Sequence, residues 1–296
     1  GVGLRHIGRL AGWTFLMVVA GQLAGIVQSN VLSGASGEDP AIFASQNAWL
    51  LFMLPYSIIV LSIGTPYFTQ LSEHAAAGRH DEVNADISRS IRTLGFFIVA
   101  ATAALAVASV PATRIFTNGP AEAVAAAPVL LCFLLCLVPL AVLFVVQRTF
   151  YAYNDTRTPF FFTLLQCVLV AGGAVLAGAA LPREDLAAGV ALTQSIASIV
   201  QVLVATVLLH RRLSGIGTAA WLLALGKFAL AALPAAAAGF GVLLLMGGFD
   251  GWTTTSAVAG AAGAAIVGLV VLAVYIGILA VFRAPELAPA LALGRR

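Results

Sequence analysis

Between Pro128 and Val146, and again between Phe160 and Leu181, the chain carries no charged residue. A helix needs about 20 predominantly apolar residues to cross roughly 30 Å of hydrocarbon, so runs of this length commit the chain to a membrane-spanning fold. Comparable runs elsewhere give eight predicted spans, at about 9–32, 42–70, 93–112, 123–147, 159–181, 186–209, 222–246 and 254–282. Only 9% of the residues are charged and 61% are hydrophobic, against about 25% charged in a soluble domain. The expectation is an all-α, polytopic membrane helix bundle of about eight transmembrane helices.

The arginines fix an orientation. One set of span ends holds Arg5 and Arg9, then Arg79, Arg89 and Arg92, then Arg148 and Arg157, then Arg211 and Arg212, then Arg283, Arg295 and Arg296. The opposite connectors hold only Arg114 and Arg183, and Lys227 is left over. Short cytoplasmic loops carry the Lys/Arg excess, so both ends of the chain are expected on the cytoplasmic side of the cell membrane. An even number of spans requires that agreement. The start, with Arg5, an apolar run and the small residues Ser33 to Gly37, has the order of a signal peptide. Gln22, Gln28 and Asn30 oppose that reading, and the chain reads as an internal piece of a longer protein.

Between the fourth and fifth spans lies a polar island, Arg148-Thr149-Phe150-Tyr151-Ala152-Tyr153-Asn154-Asp155-Thr156-Arg157-Thr158-Pro159. It reads as a short turn, with Pro159 at a first helical position and Asp155, Thr156 or Thr158 as the N-cap. A second passage runs Gly64-Thr65-Pro66-Tyr67-Phe68-Thr69-Gln70-Leu71-Ser72, then Gly78-Arg79-His80-Asp81-Glu82. In this order and at this spacing the two passages resemble the MurJ/MviN family of lipid II flippases, within the MOP exporter superfamily. One lysine against fourteen arginines, with heavy Ala and Gly, points to a GC-rich genome of the actinobacterial kind.

The resemblance implies an architecture and a task. Family members have about fourteen helices: two six-helix lobes around a central cavity, then two more helices forming a hydrophobic groove. By this mapping residues 1–212 are the second six-helix lobe and 213–296 the additional pair, while the first lobe is absent from the chain. The implied activity is flipping of a polyprenyl-linked peptidoglycan precursor, lipid II, across the membrane by alternating access. Implied partners are that precursor, membrane lipids, the missing first lobe and cell-wall synthesis proteins; no nucleic acid, cofactor or metal is expected. Well-studied members line the cavity with charges, including an Asp-Arg pair and a Glu just before the proline of the second lobe's second helix. The aligned positions here are Trp49, Leu50 and Met53, which assigns headgroup binding to the absent lobe or to amides. Two other readings compete: an exporter of another lipid-linked glycan or of a drug, and a non-transporting scaffold for cell-wall synthesis.

No soluble-enzyme signature is present, so no catalytic residue is assigned. Within the spans the conspicuous polar groups are amides, which must face other helices or a watery cavity. Gln28, Asn30, Gln46 and Asn47, on an antiparallel pair of spans, are the transport-path candidates. Gln166, Gln194 and Gln201 lie in later spans. Arg148, Tyr151, Asp155, Thr156, Thr158 and Pro159 form the candidate cytoplasmic loop and gate. Lys227 is a candidate for headgroup or interface contact, anchored beside Trp221. Pro55 should kink the second span, and Gly64-Thr65-Pro66 should loosen its end. Val83, Ile87 and Ile91, near 3.6-residue spacing, predict an amphipathic helix over 72–92 on the membrane surface. Cys132, Cys136 and Cys167 form no metal-ligand pattern and are assigned to packing.

Overall fold

The computed structural model describes residues 2–34 and 41–293. Ala35, Ser36 and Gly37, and Gly294, Arg295 and Arg296 at the far end, lie outside these residues. The described residues contain no strand. In chain order the helices are α1 (Val2–Gly34), α2 (Ala41–Pro55), a π-helical segment (Tyr56–Leu61), α3 (Ser62–Ala76), α4 (His80–Val107) and α5 (Ser109–Arg114). Then follow α6 (Pro120–Leu134), α7 (Leu137–Ala152), α8 (Arg157–Ala180), α9 (Arg183–Arg212), α10 (Thr218–Leu245), α11 (Ala257–Val281) and α12 (Leu287–Leu293). Among the described residues, eight helical units are long and apolar enough to cross a membrane, with α2 to α3 and α6 to α7 each counting as one. The chain is a multi-pass membrane protein.

Two spans are discontinuous. Pro55 does not simply bend the second span; the ladder resumes as a π-helical segment before returning to α geometry at Ser62. A proline removes one N–H from the ladder, and the π turn re-registers the carbonyls around that gap. Pro66, expected to loosen the end, lies inside α3, which runs unbroken to Ala76. The fourth span is interrupted at Leu135 and Cys136, three residues before Pro139, where Cys136 N–H bonds Phe133 O at 3.1 Å. Pro139 cannot donate to the carbonyl of Leu135, so the interruption falls where the ladder lacks a donor.

The predicted surface helix over 72–92 is corrected by the structure. Only Ala77 to Arg79 separate α3 from α4, with Gly78 at φ +71°, the left-handed conformation that glycine adopts without strain. Val83, Ile87 and Ile91 are buried inside the protein, because α4 extends straight out of its apolar run and turns that face onto α3 and α7. His74 closes the corner, with Nδ1 2.5 Å from Asp86 Oδ2 and Nε2 2.9 Å from Glu82 Oε2.

Packing divides into two main apolar clusters. The larger unites α2, α4, α6, α7 and α9 with parts of α1 and α8. The second joins α10 and α11 to the outer face of α4, where Phe96, Phe228 and Tyr275 meet edge to face or tilted and Tyr275 Oη donates to Phe96 O at 2.9 Å. Trp221, expected as an interfacial anchor, is instead buried in the larger cluster, because the first turns of α10 lie against α4. At the end opposite the polar island, buried Arg114 reaches Thr254 O (Nε, 2.7 Å), Thr117 O (Nη1, 2.6 Å) and Thr255 O (Nη2, 3.4 Å), tying α5 to the turn that leads into α11.

Candidate functional site

Two regions collect the polar chemistry. The first lies between α1, α2 and α9, where Gln28 Nε2 donates to Gln194 Oε1 at 2.6 Å. Gln28, Ser45, Gln46 and Gln194 face a cavity of about 200 Å³ walled by Trp49 and Phe133. Trp49 is held by Phe52 and Phe133 at centroid distances of 5.1 and 5.3 Å. A buried amide needs partners for its donors and its acceptor. The Gln28–Gln194 bond uses one donor of the first and the acceptor of the second, which leaves both with hydrogen-bonding capacity for a polar guest.

The structure thus brings together Gln28 and Gln46 of the four path candidates. Asn30 is exposed and does not line the cavity, and Asn47 holds its Nδ2 buried without a hydrogen-bond partner. Gln194 is the addition. An amide on a helix more than 160 residues away in sequence carries no mark of its partner (|i−j| = 166). Gln201, on the same helix, bonds Thr163 Oγ1 of α8 at 3.3 Å.

The second region is the polar island, where Tyr153 to Thr156 turn the chain from α7 into α8. Asn154 takes φ +57°, a left-handed conformation that asparagine tolerates better than most residues. Asp155 supplies the helix cap: its Oδ1 accepts the N–H groups of Arg157 (3.1 Å) and Thr158 (3.0 Å), and its Oδ2 accepts the Thr158 hydroxyl (2.7 Å). Thr156 occupies the cap position in sequence, but its hydroxyl donates to Leu10 O of α1 at 3.4 Å. Pro159 is the third residue of α8 rather than the first. That position costs nothing in hydrogen bonds, since the first four N–H groups of a helix lack carbonyl partners.

The two passages singled out in the sequence meet here. Arg148 lies over the rings of Phe68 (5.4 Å), Phe144 (5.0 Å) and Tyr151 (6.0 Å), so its charge is held by aromatic faces between α3 and α7. Tyr151 Oη accepts from Gln147 Nε2 at 2.6 Å. His80, at the start of α4, stacks on Tyr153 with Nδ1 3.0 Å from its hydroxyl. Arg212, at the end of α9, pairs with Asp155 and lies 5.7 Å from the Tyr153 ring.

Burial opposes the charge of Asp155, but the Thr158 amide and hydroxyl and the Arg212 guanidinium outweigh it and hold the carboxyl below its usual value. Burial raises the Tyr153 phenol, and Arg212 partly offsets that. For a depressed carboxylate, the stabilisation is complete above the unfolded value of about 3.9 and is lost as pH falls through the folded one. Asp155→Ala should therefore speed amide exchange at Arg157 and Thr158 roughly fivefold, as loss of about 1 kcal/mol of capping requires. The unmodified protein should show the same loosening only in acid, below about pH 4. Equal exchange in both proteins at neutral pH would remove Asp155 from the cap.

Lys227 is exposed in the first half of α10, on an outward apolar face of that helix that also carries Leu223, Leu230 and Leu233. No ion pair to it exists among the described residues. No group of three or more His, Cys, Asp or Glu among the described residues is arranged to hold a metal.

Comparison with known proteins agrees with this architecture. A probable lipid II flippase MurJ of Rhizobium tropici is 26% identical over 230 residues, covering 71% of this chain and 42% of the relative. Another, from Borreliella burgdorferi, is 28% identical over 127 residues, covering 42% of this chain and 25% of the relative. The solved structure of a lipid II flippase MurJ in an inward closed conformation superposes with a TM-score of 0.65 at 22% identity, covering 90% of this chain and 53% of that one. The chain thus spans about half or less of the length of the proteins it matches. Residues 1–263 match the family described as lipid II flippase MurJ, and the chain belongs to that family.

Proposed function

We propose that the chain is the second half of a lipid II flippase, with residues 1–212 as a six-helix lobe and 213–296 as a helix pair that supplies a hydrophobic groove for the polyprenyl tail. In this reading both ends and the polar island face the cytoplasm, and the parent protein moves a polyprenyl-linked peptidoglycan precursor by alternating access without covalent chemistry. The first lobe, membrane lipids and cell-wall synthesis proteins are its partners.

The observation that carries the proposal is the amide-lined cavity of Gln28, Gln46 and Gln194 in a chain of this family. A sugar-pyrophosphate headgroup must be kept from hydrocarbon while its tail stays in lipid, and uncharged amides can hydrogen-bond to it without the cost of a buried unpaired charge. Trp49, Leu50 and Met53 offer no charge at the positions discussed above, so polar contact from this half falls to the amides. Arg148, Tyr151, Asp155, Thr156, Thr158 and Pro159 shape the turn at the entry side, and the π-helical segment after Pro55 supplies a place for the second span to flex.

The test is complementation by the parent protein carrying Gln28→Leu, Gln46→Leu and Gln194→Leu together. Precursor exposure at the outer leaflet should fall at least tenfold with membrane expression unchanged. Normal exposure and growth in that variant would favour the scaffold reading instead.

A further inference from the structure

The turn that caps α8 forms one wall of a separate basin of about 400 Å³. Three parts of the fold meet there: α1 brings Arg9 and Trp13, the turn and first residue of α8 bring Tyr153, Asp155 and Arg157, and the end of α9 brings Arg212. Three arginines and one carboxylate thus line the same basin. Asp155 is already committed to Arg212 and to the α8 cap, and Arg9 and Arg157 have no carboxylate partner among the described residues. Two of the three guanidiniums are braced by rings. Arg157 lies 5.9 Å from Trp13 and 5.7 Å from Phe161, and Arg212 lies 6.0 Å from Phe150 and 5.7 Å from Tyr153. Bracing on aromatic faces fixes the planes while leaving N–H donors for an anion.

An apolar surface leads away from the basin. Phe161, Leu164, Leu165 and Val168 recur at helical spacing along α8 and are all exposed. Trp13 packs against Phe160 and Phe161 at 5.1 and 6.0 Å, so this stripe begins at the rim of the basin. A soluble anion would use the arginines alone. A membrane lipid would use both features, with its phosphate in the basin and its chain on the stripe.

We propose that the basin of Arg9, Arg157 and Arg212 binds the phosphate of an anionic membrane-lipid headgroup, with an acyl chain lying on the exposed stripe of α8. The site lies apart from the amide cavity, and the inference does not depend on transport. Guanidinium groups form forked hydrogen bonds to phosphate oxygens, which a zwitterionic headgroup engages more weakly because its own ammonium competes.

The experiment is native mass spectrometry of the purified, delipidated protein titrated with phosphatidylglycerol, with phosphatidylcholine, and with phosphatidylglycerol plus inorganic phosphate. The expected result is preferential retention of phosphatidylglycerol. The double variant R9Q/R157Q should weaken that retention on the order of tenfold or more, while R89Q, outside the basin, leaves it intact. Inorganic phosphate at matched concentration should not displace the lipid. Equal retention of phosphatidylcholine, an unaffected double variant, or displacement by inorganic phosphate would each overturn the assignment, the last in favour of a soluble anion. Should the double variant fail to fold, the unmodified protein still decides: phosphatidylglycerol affinity must fall steeply with added salt, and a flat response rules out the arginine basin.

Discussion

Arg114→Ala is expected to destabilise the protein by about 2–4 kcal/mol, read as a lowered thermal unfolding midpoint in detergent. Its guanidinium is the common donor to three backbone carbonyls, of Thr117, Thr254 and Thr255. Thr254 is itself only 1% exposed, so water cannot readily replace the lost donor. A hydrogen bond to a charged group contributes about 1.5–3 kcal/mol, and leaving its partner buried and unpaired is the larger part of the cost. Arg114→Lys should recover less than half of the loss, since a compact ammonium cannot span the fork. Cleavage by added protease should also appear in the segment 246–256. An unchanged midpoint in Arg114→Ala would mean that these carbonyls find other donors.

The second large effect is set by contact between helices. A Cβ on Gly260 would lie 2.6 Å from Pro111 O and 3.1 Å from Arg114 Cβ, and a backbone oxygen cannot rotate away. A Cβ on Gly268, farther along the same helix, would meet nothing within 4 Å. Replacing a mid-helix glycine with alanine gains about 0.5–1 kcal/mol in backbone entropy and propensity. Over-packing costs about 1–3 kcal/mol. Gly268→Ala should therefore be neutral or stabilising, and Gly260→Ala should destabilise by about 1–2 kcal/mol net. The two measured side by side in one detergent cancel most effects of the unfolded state, and equal midpoints would show that α5 yields to the added methyl. Because Gly260 packs on Arg114 itself, the two substitutions should combine less than additively.

The spans were legible because hydrocarbon thickness sets a length that hydropathy can read directly. Their ends were less so. The period of Val83, Ile87 and Ile91 correctly marked a helical face, but a period does not say whether lipid headgroups or protein will cover it, and α3 and α7 do. The Asp155 cap could be read because its partners, Arg157 and Thr158, follow within three residues. Its pairing with Arg212 could not, since the two are 57 residues apart. The same limit hid Gln194 as the partner of Gln28. Pro139 was a visible sign of the break at Leu135 and Cys136, whereas an uninterrupted apolar run had suggested a continuous span.

Each turn of the π-helical segment after Pro55 holds more residues than an α turn, so it works as a phase offset within one membrane crossing. The second span therefore reads as two helical wheels rather than one, with the side chains of α2 and of α3 each in register only with themselves. A π turn absorbs one extra residue, so restoring α geometry with all six residues of 56–61 in place would rotate α3 by about 100° relative to α2. Gly64, which allows Phe144 to approach, and buried Leu71 would then leave their contacts with α7 and α4 together. Hydrogen-bond pattern and length in this short stretch are accordingly tied together: six residues preserve the phase only as a π turn, and five preserve it only as an α turn.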